Sequence, residues 1–404
     1  MKSRQLSADS LQPGSPRQEH RVAPGLRPST VGCRLLAVSL LVAGLLWRAT
    51  AAAVGDTLTT LEREYKQRCQ ALAANHLRGK YQLVVGMDGW LLLQSELKYA
   101  SSGPFWGVAA LTLRPDIPLD RADPITAIAA FRDELAKKGI DLLFVPAPTR
   151  PVVVPESVLG RDRLPAGKTP RLQPVEEEFF AALHARGVAA IDLTPVLLAH
   201  RDDEHGPLYV SSDPHWTSKG NVLAAQEIAR WVKRQPWFAK VLQQRFETTW
   251  KPFEHSGPHY RDLVEGAGLE KRPPDLVQVR EVHLVGAGGH PVKVESRQPD
   301  SPVILIGDSH TVWWRSQEAA LFQQLACELG FPVDTLSTSG GGPNESRLNL
   351  VRQVRATPGY LASKKLVIWC FASRDLLGPK EGWIRTPLDA PADEGDASAS
   401  TPQP

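Results

Sequence analysis

Cysteine is scarce: Cys33, Cys69, Cys327 and Cys370 are the four in 404 residues. No two stand at metal-ligand spacing, which argues against a cysteine-bound zinc site. Cys327 and Cys370 lie in the same half of the chain, so they are either a disulfide pair or two buried thiols. Excess charge is also missing. The net charge is +3, and no basic stripe carries interleaved aromatics, so nucleic acid is not an expected partner. There is no internal repeat. Gly286-Ala287-Gly288-Gly289 lacks the strand–helix setting of a dinucleotide fingerprint and reads as a turn, and no cofactor is expected.

A long uncharged apolar run is lacking too. The best candidate, Leu35–Trp47, is short for a membrane span but suits the core of a signal peptide. Arg34 precedes it, and Ala51-Ala52-Ala53 offers small residues for cleavage. Two readings of residues 31–54 stay open: a cleaved signal, or an anchor extended from Val31 to Val54 with Arg48 snorkelling at the interface. Both export the rest of the chain, to the periplasmic side, with residues 1–30 a polar, disordered segment left in the cytoplasm.

Beyond this segment, strand and helix patterns alternate. Asp56–Arg78 has helical spacing. Val84–Leu93 is a hairpin around Asp88-Gly89. Asp123-Pro124 opens a helix that Gly139 closes. Asp141–Pro146, Val188–Leu193, Val303–Ile306, Val333–Leu336 and Leu366–Phe371 read as strands. Gln173–Ala185, Lys219–Val232 and most of Thr311–Leu329 read as helices. This order predicts an α/β/α domain over 56–385 with a parallel sheet covered on both faces. Residues 238–302 break the alternation and form an excursion with β-like runs at Val277–Val279 and Val282–Val285. Residues 386–404 are expected to be a disordered tail.

Two stretches carry chemistry. Val303-Ile304-Leu305-Ile306 is a buried parallel strand that stops on Gly307-Asp308-Ser309-His310, which places Ser309 at the carboxyl edge of the sheet. Ser309 is then a helix N-cap or a nucleophile near unpaired backbone N–H groups. Upstream, Ser211-Ser212-Asp213-Pro214-His215-Trp216 forms a loop. Asp213 can fix the tautomer of His215 and leave the other ring nitrogen to take a proton from a nucleophile. The competing readings are a capping loop and, with His205 as a loose third ligand, a metal site.

The motifs Gly307-Asp308-Ser309-His310 and Asp213-Pro214-His215-Trp216 together resemble the SGNH hydrolase superfamily, with the motif order reversed as in a circular permutation. Asp88-Gly89-Trp90-Leu91, Val145-Pro146-Ala147-Pro148 and Trp369–Leu376 extend the resemblance to alginate O-acetyltransferases of the J and X type, closer to the J type. One departure is Thr149-Arg150, where the family often has a lysine. The resemblance implies Ser309 as nucleophile, His215 as base and Asp213 as orienting group. It also implies an oxyanion site made by the Ser309 N–H with Gly341 and Asn344. Asp308, Trp216 and Arg374 are further candidates for the oxyanion and substrate surroundings. Some of Trp216, Trp313 and Trp369 are expected to line the cleft, since tryptophans, eleven in this chain, suit a sugar surface as well as a core.

The implied function is acetyl transfer through Ser309 onto hydroxyls of an exported polysaccharide. The implied partners are a membrane-bound O-acyltransferase that relays the acetyl group and other polysaccharide export proteins. An acetyl-esterase shares the same triad, and a non-catalytic polysaccharide-binding scaffold is the alternative of another class.

Overall fold

The structure, a computed structural model, describes residues 58–75, 82–256 and 273–389. The expected disordered segment 1–30 and the export segment 31–54 lie outside the described residues. Among the described residues no helix is long and apolar enough to cross a membrane.

Among the described residues, ten strands occur in chain order: β1 (Leu83–Val85), β2 (Leu91–Leu93), β3 (Asp141–Phe144), β4 (Ala189–Ala190), β5 (Phe246–His255), β6 (Asp275–Val285), β7 (Pro291–Lys293), β8 (Val303–Gly307), β9 (Asp334–Ser337) and β10 (Leu366–Cys370). Five form an all-parallel sheet in the order β4-β3-β10-β8-β9. Side chains alternate across it. Val303, Leu305, Leu366 and Ile368 join one core with the helices Ser218–Val232 and Leu321–Leu329. Ile304, Ile306, Val367 and Trp369 join a second core with Pro124–Ala136, Val175–Ala185 and Gly342–Ala356. This is the three-layer α/β/α architecture. All residues of β8 are buried, and each large apolar side chain there contributes roughly 1.5–3 kcal/mol.

The local signals fold as their chemistry dictates. Asp123 caps Pro124–Ala136, accepting from the Ile125 and Thr126 amides. Asp88 and Gly89 take φ of 48° and 73° in the turn between the paired strands β1 and β2.

Two expectations are corrected, and the excursion takes a more regular form than its short runs suggest. Thr311–Leu329 is not mostly one helix. Left-handed Trp314 (φ 76°) and Glu318 (φ 50°) flank a short turn, and only Leu321–Leu329 is α-helical. The excursion forms its own antiparallel sheet, β5-β6-β7, in which Val277–Val279 and Val282–Val285 belong to the single strand β6. The described part of the tail is not loose: Thr386 and Leu388 are buried. Cys327 and Cys370 are both free thiols.

Candidate active site

Gly307 is the last residue of β8, and its neighbour β10 explains why it is glycine. A Cβ there would lie 1.8 Å from the Cys370 carbonyl oxygen and 2.7 Å from Thr311 Cγ2. With no side chain, β8 can run flush against β10 and deliver the next residues to the carboxyl edge. Asp308 then caps the turn Ser309–Thr311, one carboxylate oxygen accepting from the His310 N–H at 2.8 Å. Its other oxygen accepts from the Ala372 N–H at 2.9 Å, tying the ends of β8 and β10 together.

The loop 211–217 reaches the same edge. Asp213 Oδ1 accepts from the His215 N–H at 2.8 Å and lies 2.5 Å from His215 Nδ1. His215 Nε2 lies 2.7 Å from Ser309 Oγ. The three side chains thus form a continuous relay, with His215 and Ser309 94 residues apart in sequence. Two indoles stitch the loops together: Trp216 Nε1 donates to His310 O at 2.9 Å, and Trp314 Nε1 donates to Trp216 O at 2.8 Å. Trp313 lies flat on His215, with centroids 4.0 Å apart and planes 10° from parallel.

Burial sets the protonation states. It holds the imidazole of His215 below its ordinary value, against the upward pull of Asp213. Burial opposes ionisation of Asp213, yet the charge of His215 and hydrogen bonds from its ring and amide hold the carboxyl well below the usual range. The resting relay is therefore neutral imidazole beside carboxylate, the state needed to take a proton from a hydroxyl.

Several expectations about neighbouring residues are corrected. Asn344 is not an open oxyanion donor: its amide donates to Glu381 Oε1 at 2.7 Å and Gly382 O at 2.8 Å. The Gly341 N–H closes a turn onto Thr338 O at 3.1 Å. The Ser309 N–H, by contrast, has no acceptor among the described residues. Asp308 braces the turn, both carboxylate oxygens accepting from backbone N–H groups. Arg374 is largely buried, its Nε 3.9 Å from Asp375, and its charge helps keep Asp308 ionised. Trp216 and Trp369 are fully buried and line no cleft; Trp369 packs among Phe131, Phe144, Phe371 and Trp383. His205 stacks on Trp250 at 4.0 Å. Of the three candidate cleft tryptophans, Trp313 lines a groove of about 430 Å³, with Phe253, His255, Trp314, Arg315 and Ser339. The part played by β5 in this groove had no signal in the sequence beyond aromatic content.

Comparison with known proteins follows the same lines. Residues 83–373 match the family model described as the SGNH hydrolase-like domain of acetyltransferase AlgX. A Pseudomonas aeruginosa protein named probable alginate O-acetylase AlgJ is 26% identical over 315 residues, covering 74% of this chain and 71% of that protein. Its Pseudomonas putida namesake is 25% identical over 308 residues, again covering 74% and 71%. The solved O-acetyltransferase domain of Pseudomonas putida AlgJ superposes with a TM-score of 0.53 at 22% identity, covering 73% of this chain and 92% of that one. Pseudomonas aeruginosa AlgX gives 0.54 at 23%, covering 76% and 67%. Both structures share the fold. The chain belongs to the family of SGNH hydrolase-like acetyltransferase domains of the AlgX type, and it is an O-acetyltransferase.

Proposed function

We propose that this protein transfers acetyl groups, through Ser309, onto hydroxyls of a uronic-acid polysaccharide on the periplasmic side of the membrane. The observation that carries this reading is the relay from Asp213 through His215 to Ser309, at 2.5 and 2.7 Å, on the carboxyl edge of a parallel sheet. The names of the AlgJ relatives support alginate as the acceptor.

Ser309 Oγ attacks the acetyl carbonyl of the donor while His215 Nε2 takes its proton. The carbonyl oxygen becomes an oxyanion next to the Ser309 N–H. Collapse expels the donor's leaving group, which takes the proton back from His215, and leaves acetyl-Ser309. An acceptor hydroxyl entering by the Trp313 groove gives its proton to His215 and attacks the acyl carbonyl. The new ester departs, Ser309 recovers its proton, and Asp213 stays ionised throughout. The donor outside the cytoplasm is relayed by a membrane-bound O-acyltransferase, with the protein delivered or anchored by residues 31–54 and working beside other export proteins.

The test uses an activated acetyl ester as donor and a uronate oligosaccharide as acceptor, read by mass spectrometry. Acetylated oligosaccharide should form, and Ser309→Ala should lower the rate by roughly 10⁴ or more with an unchanged melting temperature. Hydrolysis that dominates at every acceptor concentration makes the protein an esterase. No labelling of Ser309 by a fluorophosphonate would leave it a polysaccharide-binding scaffold.

A further inference from the structure

The segment that carries Asp213 is gripped by two charged side chains from distant parts of the chain. Arg150 follows β3 and is fully buried. One of its guanidinium nitrogens donates to Val210 O at 3.1 Å and Asp213 O at 2.8 Å, and lies 3.4 Å from Ser211 O. The other donates to Leu91 O and to the equally buried Glu96 carboxylate at 3.2 Å. The second is Asp275, the first residue of β6. Its carboxylate accepts from the Ser211 N–H and hydroxyl at 3.3 and 2.7 Å, and from the Ser212 N–H at 3.3 Å and the Ser212 hydroxyl. The cation thus takes carbonyls of Val210, Ser211 and Asp213, and the anion takes the N–H and hydroxyl groups of Ser211 and Ser212.

We infer that Arg150 and Asp275 are positioning residues for acyl transfer, acting by holding Asp213 in register with His215. This inference rests on the reading of Asp213, His215 and Ser309 as the catalytic relay. The geometry gives each a distinct task. Burying a guanidinium is costly; Glu96 and Leu91 O offset part of that cost at one nitrogen, and the other is satisfied when the loop carbonyls converge on it, so the charge favours that loop conformation. The planar fork spans carbonyls from two segments at once, which a lysine ammonium at this place cannot match. The hairpin Asp88-Gly89-Trp90-Leu91 becomes part of the site, since Leu91 shares Arg150 with Asp213 and its N–H donates to Ser211 O at 2.9 Å. The excursion becomes part of it through Asp275.

The test compares Arg150→Lys, Arg150→Met and Asp275→Asn in the full chain, by acetyl-transfer kinetics and by the low-field NMR resonance of the His215 Nδ1 proton. Arg150→Met should lower kcat by about a hundredfold with KM for the acceptor unchanged, Asp275→Asn by about tenfold, and Arg150→Lys by an amount between them. The resonance should weaken or shift in each. In an Asp213→Ala background the same three changes should alter kcat by less than about twofold, because there is no longer a carboxylate to position. Variants that fold, keep wild-type kcat or keep the resonance unmoved overturn the inference, as does an equal loss in the Asp213→Ala background. If Arg150→Met does not fold, the Arg150→Lys and Asp275→Asn results decide. If wild-type Ser309 is inert, the catalytic reading fails, and the resonance alone decides whether Arg150 and Asp275 set the Asp213–His215 contact.

Discussion

His215 is buried between Asp213, Ser309 and the face of Trp313. Its ring is held below the ordinary imidazole value by that burial, so the base stays neutral to lower pH than a free histidine. The acid limb of the transfer rate should therefore fall below about pH 6.5, the ordinary value. Trp313→Ala uncovers one face of the ring, and the imidazole value should rise towards ordinary. The acid limb then moves to higher pH, measurable as a profile of kcat against pH; a profile that does not move means Trp313 does not control the solvation of His215. Stability has the same sign. His215, Asp213 and Asp308 all hold protons less readily in the folded chain. Their contribution is present above their ordinary values and is lost as pH falls, first through the imidazole and then through the carboxylates. Asp308→Asn should flatten the acid branch of a melting-temperature profile. It also turns an amide donor towards the His310 or Ala372 N–H, which costs about 1–3 kcal/mol at neutral pH.

At the scale of elements, the turn after β8 depends on a close backbone approach. Gly307→Ala would set a methyl 1.8 Å from the Cys370 oxygen, a contact with backbone that no rotamer relieves. It should cost about 3 kcal/mol or more and lower activity beyond the loss of folded protein, because β8 and β10 must part. Thermal melting together with the specific rate of the folded fraction checks both. The turn and its serine were legible in the sequence because the signal is local: four branched apolar residues, then a residue that has to be glycine. The alternation of strands and helices was legible for the same reason. β5 was not, since Pro252 lies inside it and most of its residues are exposed. It is an edge strand, where a missing ladder donor is tolerated. Asn344 misled for a different reason. Whether an amide after a glycine turn is open depends on the segment 381–384, forty residues on, which captures it. Burial of Trp216 and Trp369 likewise follows from packing across the sheet and not from any pattern near them.

For the whole molecule, the relay exists only where distant segments meet. Asp213 and His215 come from a loop between β4 and the helix Ser218–Val232, and Ser309 from the end of β8. Arg150 opens the short helix Arg150–Val153 that follows β3, and Asp275 comes from the separate sheet of the excursion. The contacts that join them are themselves buried: the indoles of Trp216 and Trp314 donate to backbone carbonyls of the opposing loops. Such a site has no part that loosens by itself while the sheet persists, because each loop ends in a side chain embedded in the core. Labelling of Ser309 by a fluorophosphonate, measured after equilibration in urea, should therefore be lost at the same midpoint as the far-ultraviolet circular dichroism signal. Trp216→Phe removes the donor to His310 O and leaves that buried carbonyl unpaired, at a cost of about 1–3 kcal/mol. It should pull both midpoints down together. Labelling that disappears at clearly lower urea than the helical signal, in wild type or in this variant, would mean that the two loops part while the α/β core stands, and that the indoles do not couple them.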